Sequence, residues 1–484
     1  MTGNVMILGG GPAGLGLALQ LLRRKELHIS VTIIERENYV GGLTAGCEYD
    51  GIHFDFGSHR LHPNTNQRIM HDIAELLGEN LLARQRNGRI KLLGRFVRFP
   101  LNPFDLFLHL PFTFPMKFAW DMFKGFIETK KTHLDTFESV LLEGLGETLC
   151  KTFYFPYAQK IWGLPANQID AEQAYKRVRA KNFRKIISKI FLTSGKSKKS
   201  SGNIFYYPAK GYHQIANALA EEVRKIGGKI FLSSEVRQLR FDSDGTASIM
   251  FDRYHRNTQN ASYKKESMEM HADLVFSTIP VTELCVLMHP VIPDHIQKNC
   301  NTIAYRNMVL CFFVLDIDQF TPYDAHYFPE KEYIFSRVSE PKNYSGAPEP
   351  HDLTGLCVEI PCSDSDSIWN ASDDELCRSV LRDLEKARLP VRMPIKRFFT
   401  KRLRNAYPVY TVGFQIALQE VLHFLDTYPR LVTLGRQGLF AHDNTHHTMD
   451  VAYCASECVL PEGVFDWLKW KEFRKQFQTH IVED

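Results

Sequence analysis

The start of this chain admits few folds. Residues 4–9 form a short apolar run of β character. They lead into Gly9-Gly10-Gly11-Pro12-Ala13-Gly14 and then into residues 15–24, whose apolar side chains recur at helical spacing. Strand, glycine turn and helix open a Rossmann unit, and Gly9, Gly11 and Gly14 fill its G-x-G-x-x-G frame. Gly9 permits the tight turn, Gly11 lets backbone approach a pyrophosphate, and Gly14 lets helix and strand pack closely. Pro12 and Ala13 begin the helix, whose N-terminal N–H groups and positive dipole end suit phosphates. A second apolar strand, residues 31–34, ends at Glu35. A carboxylate about 20 residues beyond the glycines is where a ribose 2′-hydroxyl is held. A glycine turn alone is a weak sign; strand, glycines, helix, strand and terminal carboxylate together predict an α/β dinucleotide-binding domain.

Length bounds the rest. At roughly 100–200 residues per domain, 484 residues are too many for one simple core. Apolar residues make up 44% and charged residues 24%, the balance of a soluble globular protein. A formal net charge of +4 is too small for a nucleic-acid binder, so no such partner is expected. The ten cysteines follow no disulfide or zinc-finger spacing. Reduced thiols in a cytoplasmic setting are expected, and no metal. The N-terminus lacks a basic start, an apolar stretch and a small-residue cleavage site, so no signal peptide is expected. Residues 101–127 are rich in Phe and Leu, but Asp105, His109, Lys117, Asp121 and three prolines interrupt them. A spanning helix needs about 20 mostly apolar residues. The segment therefore reads as buried helices of a second domain, with shallow membrane contact or a greasy substrate channel as alternatives.

The opening unit suits NAD and FAD alike, and later residues separate them. Glu35-Arg36 is followed by Gly41-Gly42-Leu43-Thr44 and then by Phe54-Asp55-Phe56-Gly57-Ser58-His59-Arg60-Leu61-His62-Pro63. Far downstream comes Leu434-Gly435-Arg436-Gln437-Gly438-Leu439-Phe440. This set resembles the flavoprotein clan of amine oxidases, protoporphyrinogen oxidases and UDP-galactopyranose mutases. The resemblance implies FAD, held by a Rossmann-type, glutathione-reductase-like domain. It implies that Glu35 and Arg36 contact the adenosine side and that Gly42 and Leu43 lie along the pyrophosphate. Gly57, Ser58 and His59 would approach the isoalloxazine ring, and Gly435 and Arg436 would close over the flavin's other end. Glycines suit a doublet whose backbone must touch a ligand without a Cβ in the way.

The resemblance runs almost end to end. Residues 213–226 read as a helix ended by Gly227-Gly228, with a strand at 229–233. In such proteins the next residues return to the adenine, and Val236 supplies a backbone contact. Residues 240–272 alternate like a β-meander, and 272–280 read as a buried strand joining the nucleotide-binding sheet. The FAD-binding domain is thus expected to be discontinuous, at 1–85, 203–285 and 425–465. An interleaved α+β substrate domain would take 86–202 and 286–424, with 466–484 as a C-terminal tail.

Four segments match the mutase-like branch of the clan: residues 157–163, 177–179, 335–344 and 407–410. By that resemblance Trp162 and Tyr407 line a sugar-nucleotide pocket, and Arg177 and Arg337 hold its diphosphate. The residue types suit the task, because Arg offers phosphate a rigid fork of donors and aromatic planes stack on flat bases. Each has a plainer alternative. Trp162 could be a core tryptophan, Arg337 an ion-pair partner of Glu340, and Tyr407 an extended packing residue before Pro408. Arg177 belongs to a run, 176–199, that holds no acidic residue. Such a run is a solvated face, or it attracts an anionic substrate or an anionic membrane surface. A small anionic substrate is expected. Peripheral contact with the inner face of a membrane, through 101–127 or 176–199, stays open.

After Gly435-Arg436 the chain departs from the mutase pattern and reads His442-Asp443-Asn444-Thr445-His446-His447. These histidines lack a separate carboxylate or thiol partner, so packing or acid–base work is expected before metal ligation. Two mechanisms remain. In a redox enzyme, a substrate C–H yields a hydride to FAD while a base takes the partner proton. His59 and His62 are the motif-placed candidates, with structural hydrogen bonding as their plainer role. In a non-redox isomerase of the mutase kind, reduced FAD attacks a nucleotide sugar, and Arg177 and Arg337 hold the leaving diphosphate. The departure favours an FAD-dependent oxidoreductase acting on an anionic, nucleotide- or lipid-linked substrate. A flavin-binding protein without chemistry is a third class, for which the pocket motifs would be superfluous.

Overall fold

Three separate stretches of chain build one parallel sheet. The computed structural model describes residues 3–101, 103–127, 135–178, 204–243, 245–256, 263–347, 349–461 and 464–482. Five strands run in the order Leu431–Thr433, Leu274–Ser277, Gly3–Leu8, Ile29–Ile34 and Lys229–Phe231. Every neighbouring pair is parallel. The central strand is buried from Val5 onward, and its unbroken apolar run is what a strand covered on both faces requires. Helix Pro12–Arg23 is buried from Pro12 to Leu22, and it is apolar all round because it is covered on more than one side. Gly16 makes that fit close: a Cβ there would stand 3.4 Å from the Tyr453 ring on helix Thr445–Glu457. Pro12 falls in the first turn, where its missing N–H costs nothing. The Rossmann-type α/β unit expected from the sequence is present.

Two other sheets complete the body. Strands Ser234–Phe241, Ala247–Arg256 and Tyr263–Ala272 form the expected antiparallel ladder, with Met288–His289 added in parallel. A seven-stranded sheet runs Ile395–Val409, Ala304–Leu315, Thr354–Cys362, Arg337–Ser339, Ala325–Tyr327, Gly88–Leu92 and Arg95–Phe99. Along Ala304–Leu315 alternate side chains serve two cores, as strand geometry dictates. Val309, Cys311 and Phe313 pack with Leu376, Val380 and Leu384 of helix Asp373–Lys386. Met308, Leu310 and Phe312 pack with Phe54 and Phe56 on the other side. This second face adjoins the candidate site.

Residues 101–127 form two helices, Pro103–His109 and Thr113–Ile127. Leu106, Leu110, Phe114 and Phe118 are buried, as expected. The expectation fails for the other side, where Leu108, Phe112, Met116, Trp120 and Phe123 are exposed. Among the described residues, no helix is long and apolar enough to cross a membrane. Most of the basic run 176–199, Arg179 included, lies outside the described residues.

Candidate active site

A continuous cavity of about 1470 Å³ is lined by residues of both the parallel and the seven-stranded sheet. A single drug-sized ligand occupies a pocket of about 300–1,000 Å³, so this one has room for a dinucleotide and a second molecule.

The glycine turn forms one wall. Gly9 has φ +105°, and a Cβ on Gly14 would collide with the Gly9 carbonyl oxygen, so both must be glycine for the protein's own packing. Gly11 differs. It has φ −77°, it lines the cavity, and a Cβ there meets no protein atom within 4 Å. The protein's own packing does not require a glycine here, and the open space beside it suits a ligand lying against the backbone. Helix Pro12–Arg23 starts beside it with no side-chain cap and no acidic residue in its first turn, so its positive end stays unneutralised. Pro12 and Ala13 line the cavity as well. The Gly41 N–H donates to the Gly10 carbonyl at 2.9 Å, which sets Gly42 over Gly11, and Leu43 follows along the wall.

Glu35 closes this cradle. Its carboxylate accepts the Gly10 N–H at 2.6 Å and the Glu37 N–H at 2.8 Å. Burial pushes its pKa up, against the pull of those two donors. Arg36 lines the cavity and pairs with Glu283 at 3.7 Å, and Val236 lies on the same lining. From the late motif, Gly435 has φ +76°, and a Cβ there would stand 2.8 Å from the Ala13 Cβ. A backbone cradle, one buried carboxylate and an unneutralised helix end fit the pyrophosphate and adenosine of FAD.

Gly57, Ser58 and His59 line the cavity on the opposite motif. Gly57 has φ +102°, and the Ser58 N–H donates to Glu359 at 2.9 Å. Glu359 also takes both donors of the Arg337 fork, at 2.8 and 2.7 Å. The alternative partner for Arg337 was Glu340. That carboxylate instead accepts from the backbone of Phe320 and Thr321 and from the Thr354 hydroxyl. Arg337 lines the cavity, but two of its donors are committed to Glu359.

The two candidate bases differ. His59 Nε2 lies 3.2 Å from the Phe56 carbonyl, which fixes the proton on Nε2 and leaves Nδ1 as the acceptor. Burial pulls its pKa down, so the ring is neutral near pH 7. His62 Nδ1 accepts the Asn64 N–H at 3.1 Å, and its ring stacks on His446 at 6.1 Å. It lines the cavity with a proton on Nε2, the form that donates.

Trp162, Arg177, Tyr407 and Arg436 come together. The Arg177 guanidinium lies 5.9 Å from the Trp162 ring and 6.0 Å from the Tyr407 ring, and Arg436 lies 5.6 Å from Tyr407. Trp162 is both a core residue and a wall: it is buried, packs edge-on to Phe137 and His442, and lines the cavity. Arg436 bonds the carbonyls of Asp443 and Ala406, at 2.7 and 3.0 Å, and no carboxylate among the described residues. Its Nε is buried without a partner. Burial, with the neighbouring Arg177 adding to it, pulls its pKa down.

Sequence reasoning missed three participants. Glu359 had a signal, as the sole charged residue in the strand Thr354–Cys362. Arg60, beside His59, pairs with Asp324 at 3.3 Å and hydrogen-bonds Tyr327 and Tyr344. His480, in the tail, had no signal at all; it joins Asp443 at 3.2 Å and stacks on His447 at 4.4 Å. The carboxylate these histidines meet is the motif's own Asp443, and the partner from outside the motif is His480. His447 Nδ1 is taken by the Asn444 N–H and His480 Nδ1 by Asp443, so this group is a hydrogen-bonded cluster at the edge of the cavity.

Known proteins share this architecture. Residues 12–453 match the family model of flavin containing amine oxidoreductase. The fold is similar to that of reduced UDP-galactopyranose mutase, with TM-score 0.80 and 19% identity, over 99% of this chain and 100% of that one. A protein assigned as a protoporphyrinogen oxidase from Exiguobacterium sp. 255-15 matches with TM-score 0.71 and 19% identity, over 94% of this chain and 98% of its own. Putrescine oxidase bound to putrescine gives TM-score 0.60 and 15% identity, over 94% and 98%. At such identities the structural likenesses speak for the fold, while the family match spans most of the sequence. The chain belongs to the family of flavin-containing amine oxidoreductases and is an FAD-dependent enzyme.

Proposed function

We propose that the protein oxidises an anionic substrate held between Trp162, Tyr407 and the guanidinium groups of Arg177 and Arg436. The observation that carries this reading is the pair of arginines near the Tyr407 ring, at 6.0 and 5.6 Å, with Arg177 close enough to add to burial in lowering the Arg436 pKa. Two cations so close in a buried wall repel, and an anion between them relieves the repulsion while gaining charge-assisted hydrogen bonds. Trp162 and Tyr407 supply flat surfaces for an aromatic or apolar portion of the same molecule. When bound, FAD takes a hydride from a substrate carbon. The partner proton goes to His59 Nδ1, which burial keeps unprotonated and which the Phe56 carbonyl orients through Nε2. Met308, Leu310 and Phe153 wall the cavity with apolar surface and limit water.

A non-redox isomerisation of a nucleotide sugar is the second reading. The convergence of Trp162, Arg177, Tyr407 and Arg436 favours it, since the two arginines would carry the charge of a leaving diphosphate. One experiment separates the two. Under anaerobic conditions the substrate of an oxidoreductase bleaches the oxidised flavin, and product differs from substrate by two hydrogens. An isomerase substrate leaves the oxidised flavin unchanged, and product mass equals substrate mass. Turnover that requires pre-reduced flavin, with no net electron transfer, overturns the first reading.

A further inference from the structure

We propose that the outer side of helices Pro103–His109 and Thr113–Ile127 docks on an anionic phospholipid bilayer without spanning it. This goes beyond the active-site reading and is measured without substrate, so either can fail alone.

Leu108, Phe112, Met116, Trp120 and Phe123 are each 56–78% exposed. Met116, Trp120 and Phe123, in steps of four and then three on helix Thr113–Ile127, share one side of it, while Leu108 on the first helix and Phe112 in the turn between the helices are exposed beside them. The opposite side is already used, because Leu106, Leu110, Phe114 and Phe118 are buried against the body. A surface helix of a globular protein ordinarily shows water a charged face. Here the outer side shows five large apolar side chains together with Lys117 and Lys124 as its exposed ionic groups, and so much exposed apolar surface calls for a partner.

Charge identifies the partner. Both acids of these helices are drawn inward: Asp105 accepts the Arg98 N–H and Asp121 accepts the Thr148 N–H, each at 2.6 Å. The exposed ionic groups are Lys117 and Lys124, and the adjoining strand Arg95–Phe99 exposes Arg95 and Arg98. An apolar stripe containing a tryptophan, bordered by cations, matches the boundary between negative headgroups and acyl chains. Since no described helix is long and apolar enough to cross, the contact is interfacial.

A second copy of the chain fits less well. The patch holds five large apolar side chains, whereas a stable interface takes about 20–30 residues a side and buries about 800 Å² on each partner. Position adds a consequence. Phe99, Pro100 and Leu101 lead into the first helix and line the cavity, so docking brings that wall to the lipid. An anionic substrate carried on a lipid would be met there.

The test uses the full holoprotein and vesicles of phosphatidylcholine, with and without phosphatidylglycerol. Flotation with the mixed vesicles and little with phosphatidylcholine alone is expected. The triple variant Phe112→Gln/Met116→Gln/Trp120→Gln should lose about tenfold or more in partitioning, about 1.4 kcal/mol, while retaining its flavin absorbance. Brominated lipid should quench Trp120 fluorescence, a signal absent from Trp120→Phe, which guards against a triple variant that fails to fold. Parent protein that floats with neither vesicle, or a flavin-loaded variant that floats like the parent, overturns the proposal. Equal binding to both vesicles overturns the choice of an anionic surface. A dimer in sedimentation that the triple variant abolishes assigns the face to a second copy and likewise overturns it.

Discussion

Arg337 and Glu359 stand opposite each other on adjacent antiparallel strands and meet through two parallel hydrogen bonds, at 2.8 and 2.7 Å. The carboxylate also holds the Ser58 N–H, so one buried acid ties the Gly57–Ser58 turn to the floor of the cavity.

Removing one half of this pair should cost far more than removing both. Glu359→Gln keeps the shape but leaves a buried guanidinium without its counter-charge, an expected loss of about 3–5 kcal/mol. The double variant Arg337→Met/Glu359→Leu should recover most of it. Urea denaturation of the two variants measures the difference. A double variant no more stable than Glu359→Gln would mean that the pair is not electrostatically self-contained.

Two glycines of the same turn should fail in different ways. Gly11→Ala adds a Cβ that meets no protein atom within 4 Å, so the apoprotein should fold with unchanged melting temperature, while a bulkier Gly11→Val pushes methyls into the ligand space and should hold no FAD. Gly14→Ala drives its Cβ into the Gly9 carbonyl and should deplete folded protein whether or not FAD is added. Flavin absorbance and thermal denaturation, read side by side, check both. Normal flavin content in Gly11→Val would show that the pyrophosphate lies elsewhere.

His59→Asn should lower kcat by about a hundredfold to ten-thousandfold, the usual contribution of a positioned base. Because burial holds the His59 pKa below 6.5, kcat/KM of the wild type should stay level as pH falls through 6.5 and drop only in more acid solution. The variant should lose that acid limb. A limb that survives in His59→Asn assigns the titrating base to another residue.

His326 should make the fold acid-sensitive. It is buried between Phe96 and Tyr323, and burial lowers its pKa from 6.5 to about 4. The unfolded chain therefore binds this proton more readily, so its stabilising contribution is full above pH 6.5 and is lost as pH falls toward 4. At 1.36 kcal/mol per pKa unit the loss approaches about 3 kcal/mol. His326→Gln should flatten the stability profile between those values. An unchanged slope in denaturation midpoints would exclude this residue as its source.

The nucleotide half was legible because its causes are local. Gly9, Gly11, Gly14 and Glu35 belong to one strand–turn–helix–strand passage, where spacing alone sets the geometry. The substrate wall depends on register. Glu340 is near Arg337 in sequence, but Glu359 faces it across the ladder, and no periodicity reveals which strands are neighbours. His480 reaches Asp443 only because the last helix, Trp467–Phe477, returns the chain to the cavity. For residues 101–127 the apolar content was plain, but how much of it the body would cover was not.

The discontinuous parallel sheet also sets a schedule for synthesis. Strand Leu274–Ser277 waits for its outer neighbour, Leu431–Thr433, to leave the ribosome. At translation rates of about 5–20 residues per second, that wait is on the order of ten seconds. Throughout it, the nascent chain carries an open sheet edge of the kind that pairs with other chains. Gly435, which packs on Ala13, arrives with the missing strand. The cavity wall that Arg436 helps to line is therefore completed late in synthesis, after the rest of the nucleotide-binding sheet has been made.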